Sequence, residues 1–435
     1  MVAVYPIRER VCSAEQAVAL IQSHSRVFLS GNCAVPQRVL GALVERAQEL
    51  QAVEIVQVLT IGNADYVAPE LAGRLRVNPL FISDNVRDAV NQGRADFTPC
   101  FLSEIPELFT SGRLPPDVAP IQVSPPDEHG YCSFGVEVGV TKPAAQAARL
   151  VIAEMNPHLP RTLGDAFIHL SHLDVIVPVD YPLPDLPTAP VDALTERIAE
   201  HVAGLIPDGA TLQTGLGAIP NAVLGRLTGH RDLGLHTELF SDGVVDLVLR
   251  GVITGERKTL HPGKIISGFI LGTQCLYDFV PDNPIVELHP TDYVNDPLVI
   301  AQNDRLVAIN SAIEIDLTGQ VCADSIGCRP YSGVGSQADF IYGAARSKGG
   351  RPIIALPSTV RPGRGGPTVS RITPTLRPGA GVTTTRRHVR FVVTAHGVAD
   401  LHGQAIAQRA QALIKIAAPQ FHEQLCQQAH QLNYV

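Results

Sequence analysis

Thr214-Gly-Leu-Gly-Ala-Ile-Pro-Asn-Ala-Val-Leu-Gly-Arg-Leu227 lines up without a gap on Ser30-Gly-Asn-Cys-Ala-Val-Pro-Gln-Arg-Val-Leu-Gly-Ala-Leu43, with the glycine, alanine, proline and Val-Leu-Gly positions coinciding. A strand, a tight glycine turn and a helix opened by proline form the phosphate-friendly unit of an α/β sheet, because the first N–H groups of the helix have no partner inside it. The flanks of the two copies also match. Upstream of the first, Ser13 and Gln16 form a capping box before an apolar helical pattern through Ile21, and Arg26 to Leu29 reads as a strand. Upstream of the second, Asp192 caps a helix whose Leu194, Ile198, Val202 and Leu205 share one face, closed by Pro207-Asp208-Gly209. The sequence therefore predicts an α/β protein of two related open domains with mostly parallel sheets. The shared pattern does not require a ligand in the first copy, since only the second has the fuller Gly215-x-Gly217 turn.

Asp180-Tyr-Pro-Leu-Pro-Asp-Leu-Pro-Thr-Ala-Pro190 separates the two copies, its prolines excluding a continuing helix or a central strand. The expected organisation is an N-terminal α/β domain over 1–180, a proline-rich linker over 181–192 and a C-terminal α/β domain over 193–435. Val53 to Leu59, Val118 to Val123, Leu150 to Ala153 and Leu173 to Val179 are short apolar runs between helical patterns, as buried parallel strands are. Leu306 to Asn310 and Ala312 to Leu317 read as paired strands feeding the turn Thr318-Gly319. Gln404 to Ile416 and Gln420 to Leu432 read as closing amphipathic helices parted by Pro419.

A chain of 435 residues, 45% hydrophobic and 17% charged, has the material for a large core in two domains. Its net charge of -8 argues against a broad nucleic-acid surface, which needs clustered Lys and Arg. The eight cysteines are scattered with no CxxC pair, which predicts reduced, buried thiols and no metal site. Charged residues interrupt Met1 to Gln22, so that segment does not read as a signal peptide, and no apolar run is long enough to span a bilayer. A cytoplasmic protein without a membrane partner is the expectation.

His236-Thr-Glu-Leu-Phe-Ser-Asp-Gly243 places Glu238 between an apparent strand and the start of a helix. Ser241 and Asp242 already stand at the cap of Gly243 to Arg250, so Glu238 lies one turn too early to answer the helix dipole. A glutamate held there is a candidate nucleophile for an activated carbonyl. A purely structural carboxylate is the competing account. Tyr331 to Phe340 sets Gly333 and Gly335 before a helix over Gln337 to Ser347, a turn able to aim N–H groups at an oxyanion, though an ordinary glycine loop reads the same. Gly215-x-Gly217 lacks the GxGxxG pattern and a ribose acid, so a dinucleotide site is not favoured. Gly363-Arg-Gly-Gly366 with Ser370-Arg371 suits a pyrophosphate or carboxylate, or is a solvated loop. Asn310 either bonds a ligand or satisfies neighbouring backbone, and Pro125 to Gly130 reads as a rigid turn rather than an acid/base pair.

Along essentially its whole length the chain resembles the acetyl-CoA hydrolase/transferase family, in particular its 4-hydroxybutyrate CoA-transferase-like branch. The resemblance rests on VSPPDEHGYCSFG (Val123 to Gly135), IAEMNPHLPRT (Ile152 to Thr162), TGLGAIPNAV (Thr214 to Val223), HTELFSDGVVDL (His236 to Leu247), SGVGSQADF (Ser332 to Phe340) and ALPST (Ala355 to Thr359). It implies a family I-type CoA-transferase fold with its active site at the domain interface, and Glu238 as the nucleophile that passes through an acyl-glutamyl anhydride and a glutamyl-CoA thioester. It further implies that Gly333, Val334, Gly335 and Ser336 help bind acyl-CoA and form the oxyanion environment, with Asn310 near the thioester; Gly215 and Gly217 complete the candidate coenzyme A contacts. Coenzyme A is then a substrate, covalently attached only in an intermediate, with no tightly bound cofactor. The implied partners are acyl-CoA, a small carboxylate and a second copy of the chain.

Departures accompany the likeness. Ser336 replaces the last glycine of the family's GxGGQxDF loop, Asp324 stands for a glutamate, and Cys328 stands for a glycine. Val393-Thr-Ala-His-Gly397 lacks a glutamate that relatives carry. Three readings stand together: a CoA-transferase, an acyl-CoA hydrolase using the same glutamate, and a catalytically weak CoA-binding protein.

Overall fold

The computed structural model describes residues 9–187, 190–215, 217–361, 363 and 365–435. Residues 1–8, Thr188 and Ala189 of the linker, Leu216 of the glycine turn, and Pro362 and Arg364 of the basic loop lie outside the described residues. Packing divides the chain into two units, Met1–Pro187 with Ile266–Val294 and Thr188–Ile265 with Asn295–Val435. Residues 266–294 thus pack with the first unit, whereas the sequence reading keeps them in a continuous stretch over 193–435.

The first unit is built on six strands: β1 Arg26–Phe28, β2 Val53–Gln57, β3 Leu75–Pro79, β4 Val118–Val123, β5 Leu150–Met155 and β6 Val175–Pro178. They run parallel in the order β3-β2-β1-β4-β5-β6. Every residue of β4 is buried, as expected of a strand covered on both faces. Helix α1 (Ala14–Val18) starts with the Ser13–Gln16 capping box read from the sequence. It buries Ala14, Ala17 and Val18 in the same core as Val39 and Leu43 of helix α2 (Gln37–Arg46) and Ile55, Val77 and Ile152 of the sheet. Each large apolar side chain so buried contributes about 1.5 to 3 kcal/mol before chain entropy is charged against it.

The second unit begins with helix α3 (Ala193–Ala203), capped by Asp192, whose side chain accepts from Thr195 N. There follow β7 (Thr211–Thr214), α4 (Ala218–Gly225), β8 (Gly234–Phe240), α5 (Asp242–Leu249), β9 (Leu306–Ser311), β10 (Glu314–Asp316), α6 (Gln337–Arg346), β11 (Arg351–Ala355), β12 (Ile372–Thr373), β13 (Phe391–Thr394) and β14 (Gly397–Asp400). Helices α7 (Ile406–Ile416) and α8 (His422–Gln431) end the chain. Within this unit the strands lie β14-β13-β11-β9-β7-β8, parallel except for the β13–β14 hairpin.

The expected pairing of Leu306 to Asn310 with Ala312 to Leu317 is not found. Both edges of β9 are taken by parallel neighbours, β7 and β11, so no edge remains for a hairpin partner. Strand β10 turns away into a small separate sheet, antiparallel to Val321–Cys322 and parallel to β12. The thiol expectation also needs amending: all eight cysteines are free, but Cys275, Cys328 and Cys426 are exposed. Among the described residues, no helix is long and apolar enough to cross a membrane.

Candidate active site

In open α/β sheets ligands sit beyond the carboxyl ends of the strands, where the strand order reverses. In the second unit β8 lies on one side of β7 while β9, β11 and β13 follow on the other, so the reversal falls between β7 and β9. Gly215 leaves β7 at that point, its N–H donating to Ile309 O at 3.3 Å, and Asn310 follows Ile309. The Asn310 Nδ2 donates to Gln213 Oε1 at 2.9 Å. That bond fixes the amide with its Oδ1 toward the turn, 4.0 Å from where a Cβ on Gly215 would stand. Gly217 opens α4 with φ 121.

Glu238 is the fifth residue of β8, half-buried between buried Thr237 and Leu239, not a residue between strand and helix. The Thr237 hydroxyl accepts from Thr214 N at 3.3 Å and lies 3.1 Å from Thr214 O, clamping β7 to β8 one residue before Glu238. Ser241 stands at the N-cap of α5 as expected, but its side chain makes no cap bond and instead donates to Asn221 Oδ1 of α4 at 3.2 Å. Asp242 remains as the acid of the first turn of α5.

Gly333, Val334, Gly335 and Ser336 lead into α6, with Gly335 at φ 59 in the left-handed region that favours glycine. Ser336 is the N-cap residue, buried and without a side-chain cap bond. The first turns of α6 are tied to the strand ends. Gln337 Nε2 donates to Ser311 O at 2.6 Å, and the Phe340 ring meets the His236 ring edge-on at 6.2 Å. The loop's entry is held by Asp324, whose backbone carbonyl accepts from Tyr331 N at 2.8 Å and Ser332 N at 3.1 Å. Thr383 Oγ1 in turn holds the Asp324 carboxylate at 2.8 Å, so this departure from the family pattern supports the loop. Ala395 and His396 form the turn between β13 and β14, which leaves no carboxylate at the end of β13. The Pro125 to Gly130 segment is the rigid turn expected, with Asp127 accepting from His129 N, Tyr131 N and Arg161.

The sequence reading missed Gln213. It is fully buried, and its Nε2 has no hydrogen-bond partner. The available signal was an amide inside an otherwise buried strand one residue before the glycine turn, since buried polar groups demand partners.

The first copy of the motif has its corresponding position filled from within. The N–H of Val39 in the first turn of α2 donates to Glu154 Oε1 at 2.6 Å, that of Gln37 donates to Tyr181 Oη at 3.2 Å, and Tyr181 Oη donates to Glu154. Glu154 thus supplies the anion that a helix start attracts, with its pKa pushed up to about 7 by burial. The aligned glycines differ accordingly. A Cβ on Gly31 would stand 2.4 Å from Leu59 O, whereas one on Gly215 would meet nothing closer than 3.6 Å. Gly31→Ala is expected to cost roughly 2 to 4 kcal/mol of stability through overpacking against backbone. Gly215→Ala should keep the wild-type thermal midpoint and lose about tenfold or more in kcat/KM if backbone there presses on a ligand. Paired melting and rate measurements on both variants decide whether Gly215 serves ligand or fold.

Residues 3–186 match the acetyl-CoA hydrolase/transferase N-terminal domain, and residues 272–429 match the acetyl-CoA hydrolase/transferase C-terminal domain. The chain is 52% identical to the 4-hydroxybutyrate coenzyme A transferase of Clostridium kluyveri, covering 96% of each. It is 45% identical to the succinyl-CoA:acetate/propanoyl-CoA:succinate CoA transferase of Fasciola hepatica, covering 95% of this chain and 86% of that protein. The crystal structure of a 4-hydroxybutyrate CoA-transferase from Porphyromonas gingivalis superposes with a TM-score of 0.84 at 41% identity, over 98% of each chain. The chain belongs to the acetyl-CoA hydrolase/transferase family.

Proposed function

We propose that this protein transfers coenzyme A between an acyl-CoA and a small carboxylic acid, with Glu238 as nucleophile. The observation that carries the reading is the place of Glu238 at the carboxyl end of β8, clamped to the strand end that bears Gly215. A Glu238 oxygen attacks the thioester carbonyl; the C–S bond breaks, leaving an acyl-glutamyl anhydride and CoA thiolate. The thiolate attacks the glutamyl carbonyl, releasing the donor carboxylate and forming a glutamyl-CoA thioester. An acceptor carboxylate then attacks that thioester and expels the thiolate, which finally attacks the acceptor's acyl carbonyl and frees Glu238. In this scheme the backbone donors of Gly333 to Ser336 face the oxyanion of each tetrahedral intermediate, where one donor is typically worth about 3 kcal/mol. Asn310, Gly215 and Gly217 line the approach of the thioester.

The similarity to relatives named for CoA transfer over nearly the full chain supports transfer as the outcome. The missing carboxylate at the end of β13 is the observation that keeps hydrolysis in view. Incubation with acyl-CoA and a panel of small acids separates the two. Acceptor-dependent formation of a new acyl-CoA is expected; free CoA accumulating at a rate indifferent to acceptor would make the protein a hydrolase.

A further inference from the structure

Arg371 ends the basic segment that the sequence singled out, and the fold gives it a fixed place. Its backbone N–H donates to Ser358 O at 2.9 Å and its carbonyl accepts from Ile315 N at 2.9 Å, so the residue is pinned on both sides. Its Nη1 donates to Ala312 O at 3.2 Å, two residues beyond Asn310 in sequence. The side chain is half-buried, and its Nε is buried with no acceptor. The nearby Arg377 is spent on buried Glu314 at 3.2 Å. Among the described residues no carboxylate is within ion-pair distance of Arg371. Burial disfavours its charge, Tyr331 opposes that effect, and the like charge of Arg377 adds to it.

The bond to Ala312 O and the burial of Nε, which no ligand can reach, hold the guanidinium in one orientation and leave Nη2, without a partner among the described residues, as the donor open to a ligand. The planar guanidinium fork matches the two oxygens of a carboxylate or a phosphate. We propose that Arg371 is a substrate-recognition residue that binds an oxyanion brought by a substrate: the carboxylate of the acceptor acid or a phosphate of coenzyme A. The inference rests on the transfer reading above, whose site Ala312 adjoins in sequence.

The test compares wild type with Arg371→Lys, which keeps one charge but loses the fork, and Arg371→Met, which loses both. KM is measured for acetate, butyrate and succinate as acceptors, and for acyl-CoA against acyl-pantetheine, which lacks every phosphate. If the acceptor is bound, Arg371→Met raises the acceptor KM about 30-fold and leaves that of acyl-CoA unchanged. If a phosphate is bound, the rise falls on acyl-CoA and vanishes with acyl-pantetheine. Arg371→Lys should recover only part of either loss. Shifts of thermal midpoint on adding CoA or succinate give the same comparison without turnover. Variants whose constants and ligand-induced shifts all stay within twofold of wild type would overturn the proposal. A wild-type protein that forms no glutamyl-CoA adduct instead sinks the transfer reading, and the ligand-induced shifts then decide on Arg371 alone.

Discussion

Glu238→Gln is expected to abolish CoA transfer, with kcat/KM falling by about 10^4-fold or more, the scale seen when a covalent nucleophile is removed. The neutral amide keeps the shape of the side chain but cannot form the anhydride. Because Glu238 is half-buried at a strand end rather than packed in the core, the thermal midpoint should hardly move. Glu238→Asp draws the oxygens back by one methylene, and a displacement of about 1 Å at a reacting atom costs on the order of 10^2-fold. Mass spectrometry of wild type after exposure to acyl-CoA should show a CoA-sized adduct on the peptide carrying Glu238. The same adduct on any other peptide would assign the nucleophile elsewhere.

Glu137→Gln is expected to stabilise the protein at alkaline pH and to do little at pH 5. Glu137 is fully buried, accepts from Val140 N at 3.1 Å and from Asn32 Nδ2, and its pKa is pushed from 4.5 up to about 7, chiefly by burial. A carboxyl whose folded pKa exceeds its unfolded one stabilises the fold below the unfolded value, and that stability is lost as pH rises through about 7. The difference corresponds to roughly 3 kcal/mol between pH 4.5 and 8. Asn32 Oδ1 has no partner, so a turned Asn32 amide can accept from the glutamine amide that replaces the carboxyl without losing the contact. The variant's midpoint at pH 8 should rise by about 5 to 10 °C. Glu154, raised to about 7 by the same cause, retains its own share of the pH dependence. Parallel wild-type and variant curves across pH 5 to 8 would show that Glu137 does not titrate in that window.

Regular local signals were legible. The Ser13–Gln16 capping box, the Asp192 cap and the buried strand Val118–Val123 each appear in the structure as read, because capping and burial depend on neighbours in sequence. Strand β3 escaped notice since Leu75–Pro79 carries Arg76, Asn78 and Pro79 among only two large apolar residues. The false Leu306–Leu317 hairpin came from adjacency, whereas the true neighbours of β9 are Thr211–Thr214 and Arg351–Ala355, far along the chain. In the candidate site, glycines and an isolated glutamate stood out by type. Gln213 and Gln337 did not, because their importance lies in the partners that tertiary packing brings: Asn310 and the Ser311 carbonyl.

The return of residues 266–294 to the first unit bears on how this chain must be made. Leu163–Gly164 pairs with Glu287–Leu288, and Val138 N donates to Gly268 O, so the ribosome cannot hand over a finished first unit when Pro187 emerges. It must first add 294 − 187 = 107 residues, most of them belonging to the second unit. At ordinary synthesis rates that is on the order of ten seconds during which the early sheet waits for its last pieces. The two units are therefore related in pattern but interleaved in birth, and a gene cut at the proline-rich segment would not yield two self-sufficient halves.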